Sequence, residues 1–242
     1  MPAGLRVFGL VHLAILASIP GGAAFLSLVQ RRYGRAGIWI RGGLAALLLA
    51  STVSYYGYFA AQGGGMFPEH VPLELCDASL WLVIAALLTL NAAVFDVVYY
   101  WAVAGASMSL LTPDMVNPTR FLALQYFVDH GLLVGAVLYL VWTGQARPRA
   151  GSVARSRVAL NVFAAIAGTF DAVYETNYMF LRRKPPTASL LDAMGPWPWY
   201  IAAGEVLACG LFLLLYWPFW RSGVGAEAGV LDGVAAEAQT LE

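Results

Sequence analysis

Apolar residues dominate seven stretches of this chain, residues 5–29, 38–60, 72–90, 93–111, 119–142, 157–180 and 197–219, with short segments rich in Arg, Gly, Pro and Asn between most of them. The hydrocarbon core of a bilayer is ~30 Å thick and takes ~20 apolar residues to cross as a helix. Lipid offers the backbone no hydrogen-bond partner, so runs of this length are expected as helices. The pattern predicts an all-α fold, a polytopic transmembrane helical bundle of about seven spans forming one domain over residues 1–221. The first stretch is too long for a signal peptide and leads directly into Arg31 and Arg32, so it is expected to remain as a span.

Basic residues orient such a bundle, because positively charged loops stay in the cytoplasm. Arg31, Arg32, Arg35, Arg41, Arg147, Arg149, Arg155, Arg157 and Arg221 fall on one side of a seven-span arrangement. Arg6, Arg120, Arg182, Arg183 and Lys184 fall on the other. The bias predicts an N-terminus outside, a C-terminus in the cytoplasm, and a multi-pass protein of the inner (cytoplasmic) membrane. Residues 222–242 are Gly/Ala-rich, with four acids and no basic residue beyond Arg221, and are expected to form a disordered cytoplasmic tail.

Composition agrees with the span pattern. Of 242 residues, 60% are hydrophobic and 12% charged, against about 25% charged in a typical soluble domain. The formal net charge is zero, so nothing points to nucleic acid, and membrane lipids are the expected partners. Cys76 and Cys209 form no CxxC and no zinc-type spacing with histidine. No metal and no cofactor is expected.

Polar groups inside the apolar runs carry the functional signal, because a charge in hydrocarbon costs roughly 2.5–3.5 kcal/mol on insertion scales. At 1.5 Å per helical residue, His12, Cys76, Gln125, His130, Asp171, Glu175 and Glu205 lie ~6–16 Å below the outer ends of five spans. That common depth predicts one polar cavity opening outward, with Asp96 and Asn91 apart from it at the inner junction of spans three and four. Asp171 and Glu175, four residues apart, are expected to share a helix face. Asp129 and His130 are adjacent and point about 100° apart, so a carboxylate from another span is expected to orient the imidazole.

Cys76 is the cysteine near the outer surface, and a thiolate attacks acyl carbons well when an imidazole takes its proton. His130 suits that base role. Glu74 and Asp77 beside the thiol oppose its ionisation, and a free cysteine is often a small buried hydrophobe, as expected for Cys209. Arg182, Arg183 and Lys184 offer a lipid-phosphate site at headgroup level, or ordinary headgroup contacts. Tyr55, Tyr56 and the Trp197-Pro198-Trp199-Tyr200 run are expected as interface anchors.

Several strings resemble the YwaF-like family of bacterial integral membrane proteins: Val71-Pro72-Leu73-Glu74-Leu75-Cys76, Phe127-Val128-Asp129-His130-Gly131, Thr176 to Leu181 running on to Lys184-Pro185-Pro186, and Ser189-Leu190-Leu191-Asp192 followed by Gly195 to Tyr200. His12-Leu13 also fits, and the likeness covers most of residues 5–219. The resemblance implies six or seven helices. A vertebrate relative is similar to a lipid acyltransferase that uses a cysteine and a histidine within the membrane, roles that would fall on Cys76 and His130.

The leading expectation is therefore thiol-dependent acyl transfer or hydrolysis on lipid acyl esters, with Asp171 or Glu175 tuning His130. His12, Gln125 and Glu205 support the polar site, and Arg182, Arg183 and Lys184 bind phosphate. The alternative is a proton- or ion-coupled carrier, or a lipid- or small-molecule-binding protein, in which the carboxylates matter most and no bond changes. A third possibility is an assembly partner whose polar groups only lock helices together.

Overall fold

A computed structural model describes residues 6–63, 66–115, 118–186 and 189–239, with side chains described as far as Trp220. The stretch expected as a tail, 222–242, lies outside that side-chain range. Among the described residues every regular element is helical. The long helices are α1 (Leu10–Arg32), α2 (Ala36–Ala61), α3 (Leu75–Thr89), α4 (Ala92–Leu111), α5 (Arg120–Trp142), α6 (Ser152–Tyr174) and α7 (Trp199–Gln239). Short 3-10 turns, Tyr178–Phe180 and Leu190–Met194, lie between α6 and α7.

Among the described residues six helices are long and apolar enough to cross a membrane, and α3, with 15 residues, is a shorter apolar helix beside them. At 1.5 Å per residue α3 reaches about 22 Å, less than the hydrocarbon thickness. Apolar side chains cover the outside of the bundle, for example Val11, Leu28, Leu124 and Val206. The solvent expected there is lipid.

Local chemistry sets the helix boundaries. α3 ends on Leu90 in the left-handed conformation, and Asn91 starts α4 at once by accepting from the backbone N–H groups of Ala93 and Val94. This is N-capping by a short polar side chain, and it folds α3 back along α4 through two residues. Thr119 caps α5 through the Leu122 N–H. One segment of α4, Trp101–Ala106, widens into a π-helical turn.

Contacts between helix ends show that successive helices alternate in direction. At one end of the bundle His12 of α1 meets Leu110 of α4, and Tyr58 of α2 meets Thr119 before α5. At the opposite end Arg31 reaches the Trp142 carbonyl and Arg41 donates to Gln145. Gln30 accepts there from both Gln145 and the Tyr139 hydroxyl. Asp96, fully buried at that same end, accepts from the backbone N–H and guanidinium of Arg149 and from the guanidinium of Arg155. This clamp ties α4 to the segment joining α5 and α6. Leu87, Phe95, Tyr100, Leu133 and Tyr139 fill the core between α3, α4 and α5.

Candidate functional site

Near the end of the bundle where α3 begins, a polar cavity of about 380 Å³ lies between α2, α3, the last turn of α4, and α5. Helical spacing creates its walls. On α5, Gln125, Tyr126, Asp129, His130 and Leu133 form one face. On α2, Thr52, Tyr55 and Tyr56 do the same, and α3 contributes Cys76, Asp77 and Leu80 from its first turns, with Glu74 just before it. Ser109, Asp114 and Phe180 complete the lining.

His130 is 9% exposed. Its Nδ1 lies 2.7 Å from the Tyr126 carbonyl oxygen, which accepts only, so Nδ1 carries the proton and Nε2 holds the lone pair. The Tyr126 ring stacks against the imidazole with centroids 4.1 Å apart and planes 30° from parallel. The Tyr126 hydroxyl donates to the Ser109 carbonyl at 2.9 Å. Ser109 Oγ in turn lies 4.0 Å from Cys76 Sγ. A continuous set of contacts thus runs from the thiol through Ser109 and Tyr126 to the imidazole. Gln125 donates to Asp129 on the same wall.

The segment after α6 closes one side. Glu175 leaves the helix with φ 61°, so the turn that would align it with Asp171 does not form. Asp171, fully buried, instead accepts from the Thr176 hydroxyl at 2.6 Å and the Tyr178 N–H at 2.9 Å, and the Arg182 guanidinium donates to the Asp171 carbonyl at 3.0 Å. Tyr178 then stitches this loop to the chain before α3: its hydroxyl accepts from the Val71 N–H at 3.0 Å and donates to the Pro68 carbonyl at 2.7 Å. Glu74 accepts from the Met179 N–H at 3.0 Å. These ties bring Phe180 to the cavity wall.

Of the residues expected at one site, Cys76, Gln125 and His130 come together. The others have separate partners. His12 is fully buried, with Nδ1 accepting from the Phe8 N–H and Nε2 donating to the Leu110 carbonyl, so both ring nitrogens are used in packing α1 on α4. Asp171, in the last turn of α6, holds the loop that follows through Thr176 and Tyr178, and Glu175, the C-cap of α6, is exposed. Glu205 pairs with Arg157 at 3.1 Å and accepts from Asn161 between α6 and α7. Neither Asp171 nor Glu175 orients His130; the Tyr126 carbonyl does. Among the basic trio, Lys184 lies 3.9 Å from Asp192 and 5.7 Å from the Tyr200 ring centroid, while Arg183 is exposed. As the sequence indicates, Asp96 and Asn91 lie away from the cavity.

Ser109, Asp114, Thr52 and Phe180 join the lining without a signal in the apolar pattern, and Tyr55 and Tyr56, expected as interface anchors, line the cavity. The α5 stripe of Gln125, Tyr126, Asp129 and His130, polar at helical spacing within an apolar run, is the signal that points to this wall. Ser109 carries no comparable signal, because serine in a membrane helix commonly bonds its own backbone.

Two apolar spaces adjoin. A groove of about 740 Å³ runs along the other face of α5 against α1, past Ile15, Ile19, Gly22, Phe127, Gly131 and Gly135. A crevice of about 160 Å³ is lined by Leu75, Gly105 and Met108 with Gly204, Ala208 and Phe212 of α7. Leu75 and Met108 are the chain neighbours of Cys76 and Ser109. Among the described residues no group of three His, Cys, Asp or Glu side chains is arranged to hold a metal ion.

The helices and the polar cavity between them define a polytopic helical membrane protein. A family model matches residues 7–216, and the chain belongs to the TMEM164 family, a family of membrane proteins. No curated protein and no solved structure shows significant similarity to the chain.

Proposed function

We propose that this protein transfers acyl groups between membrane lipids through a thioester at Cys76, with His130 moving the proton. The observation that carries the proposal is that a thiol and an imidazole with its Nε2 lone pair uncommitted line one cavity. In the first half-reaction the Cys76 thiol gives its proton to His130 Nε2. The sulfur attacks the ester carbonyl carbon of the donor lipid, a C–S bond forms, and the ester C–O bond breaks. The departing alkoxide takes the proton from the imidazolium, leaving a lysolipid and an acyl-cysteine. In the second half-reaction the hydroxyl of an acceptor lipid gives its proton to Nε2 and its oxygen attacks the thioester. The C–S bond breaks and the thiolate recovers the proton. Water in place of the acceptor makes the reaction a hydrolysis.

Support comes from the YwaF-like strings around Cys76 and His130, which both reach this cavity. In this reading exposed Arg183, flanked by Arg182 and Lys184, meets the lipid phosphate. The protein sits in the cytoplasmic membrane with its N-terminus outside, as the distribution of basic residues favours. The test is acyl exchange between a labelled diacyl lipid and a lysolipid in vesicles containing the purified protein, followed by mass spectrometry. Cys76→Ala and His130→Ala are each expected to lower turnover at least 100-fold, the scale of losing general base catalysis, with the thermal unfolding midpoint retained. Wild-type turnover in a folded Cys76→Ala protein would overturn the proposal.

A second reading rests on the four carboxylates that line the same cavity, Glu74, Asp77, Asp114 and Asp129. Such a wall suits binding or carriage of a proton or a cation. Uptake into vesicles driven by a pH gradient, unaffected by Cys76→Ala, would favour it over acyl transfer.

A further inference from the structure

We infer that Tyr126 is the positioning residue of the thiol–imidazole pair, holding His130 by its ring and the Ser109 segment next to Cys76 by its hydroxyl. This rests on the acyl-transfer reading and adds to it a residue that takes no proton and forms no bond in the reaction. The geometry assigns the role from two independent contacts of one side chain. The ring, with its centroid 4.1 Å from that of the imidazole and its plane tilted by 30°, packs against the setting in which Nδ1 faces the Tyr126 carbonyl and Nε2 is left for proton transfer. The hydroxyl reaches 17 residues back along the chain to the Ser109 carbonyl at 2.9 Å. That bond fixes the end of α4 against α5 at the residue whose side chain lies 4.0 Å from the thiol.

The two halves of the side chain are separable by substitution. Tyr126→Phe keeps the stack and releases α4; Tyr126→Leu releases both.

The experiment uses the full chain in vesicles with Cys209→Ala, so that Cys76 is the remaining thiol. Two quantities are measured: the rate at which N-ethylmaleimide alkylates Cys76 at fixed pH, and kcat and KM for acyl exchange. Tyr126→Leu is expected to slow alkylation by the same factor as His130→Ala and to lower kcat about 100-fold with KM within a factor of about two, the scale on which small misplacements of reacting groups act. Tyr126→Phe is expected to fall between Tyr126→Leu and wild type in both readouts, a partial rescue. Alkylation slowed by His130→Ala but unchanged by both Tyr126 variants would overturn the positioning role. If Tyr126→Leu does not fold, Tyr126→Phe decides alone: unchanged kcat and alkylation would overturn the tether. Absent acyl exchange in the wild-type protein would sink the acyl-transfer reading instead, with alkylation still reporting whether Tyr126 sets the imidazole against the thiol.

Discussion

His12 and His130 show how one side chain serves two ends in the same bundle. His12 spends both ring nitrogens on the backbone, at 2.9 Å from the Phe8 N–H and 2.8 Å from the Leu110 carbonyl, and so has none left for chemistry. His130 spends one. The two were placed together from the sequence because they lie at similar depths. Depth along a helix follows from residue count, but the side of the helix that a residue occupies relative to its neighbours depends on packing. His12→Leu removes two hydrogen bonds and leaves the carbonyl of buried Leu110 without its side-chain donor. It is expected to cost about 1–3 kcal/mol of stability, seen as a lower unfolding midpoint in detergent, with the alkylation rate of Cys76 unchanged.

At the scale of the helices, apolar run length gave seven elements close to where they lie. The sixth run was expected over 157–180 and the helix occupies Ser152–Tyr174. Gly151, in the left-handed conformation, allows the earlier start. The earlier end comes from Asp171, whose carboxylate takes the Thr176 hydroxyl and the Tyr178 N–H and so draws the chain out of helical register. Hydropathy is silent on that competition, because Phe180 and Leu181 beyond it are as apolar as a span. The pairing of Asp171 with Glu175 assumed a continuous helix and fails for the same reason. Asp171→Ala is expected to lower stability by about 1–3 kcal/mol through the two lost bonds. It should also release the loop that carries Phe180, measured as faster hydrogen exchange over 176–182 while α1 and α5 stay protected.

For the molecule as a whole, alternation of the helices is legible from consecutive apolar runs, each expected to cross the membrane once. The meeting of the Val71–Cys76 string with the Thr176–Leu181 string is not, since about 100 residues separate them and no local pattern joins them. Alternation puts Arg35 and Arg147 at one end of the bundle and Gln62 at the other. Arg35→Cys and Arg147→Cys, in a protein lacking Cys76 and Cys209, are expected to react with a membrane-impermeant maleimide only after cells are opened. Gln62→Cys should react in intact cells whose outer envelope is permeabilised. The reverse pattern would invert the proposed orientation.

The Tyr178 hydroxyl fastens two distant loops with a single oxygen atom, accepting from Val71 and donating to Pro68. With the Glu74 carboxylate on the Met179 N–H and the Asp171 carboxylate on the Tyr178 N–H, the canopy over the acidic chamber is pinned at once to the start of α3, to the end of α6 and to the stretch of chain between α2 and α3.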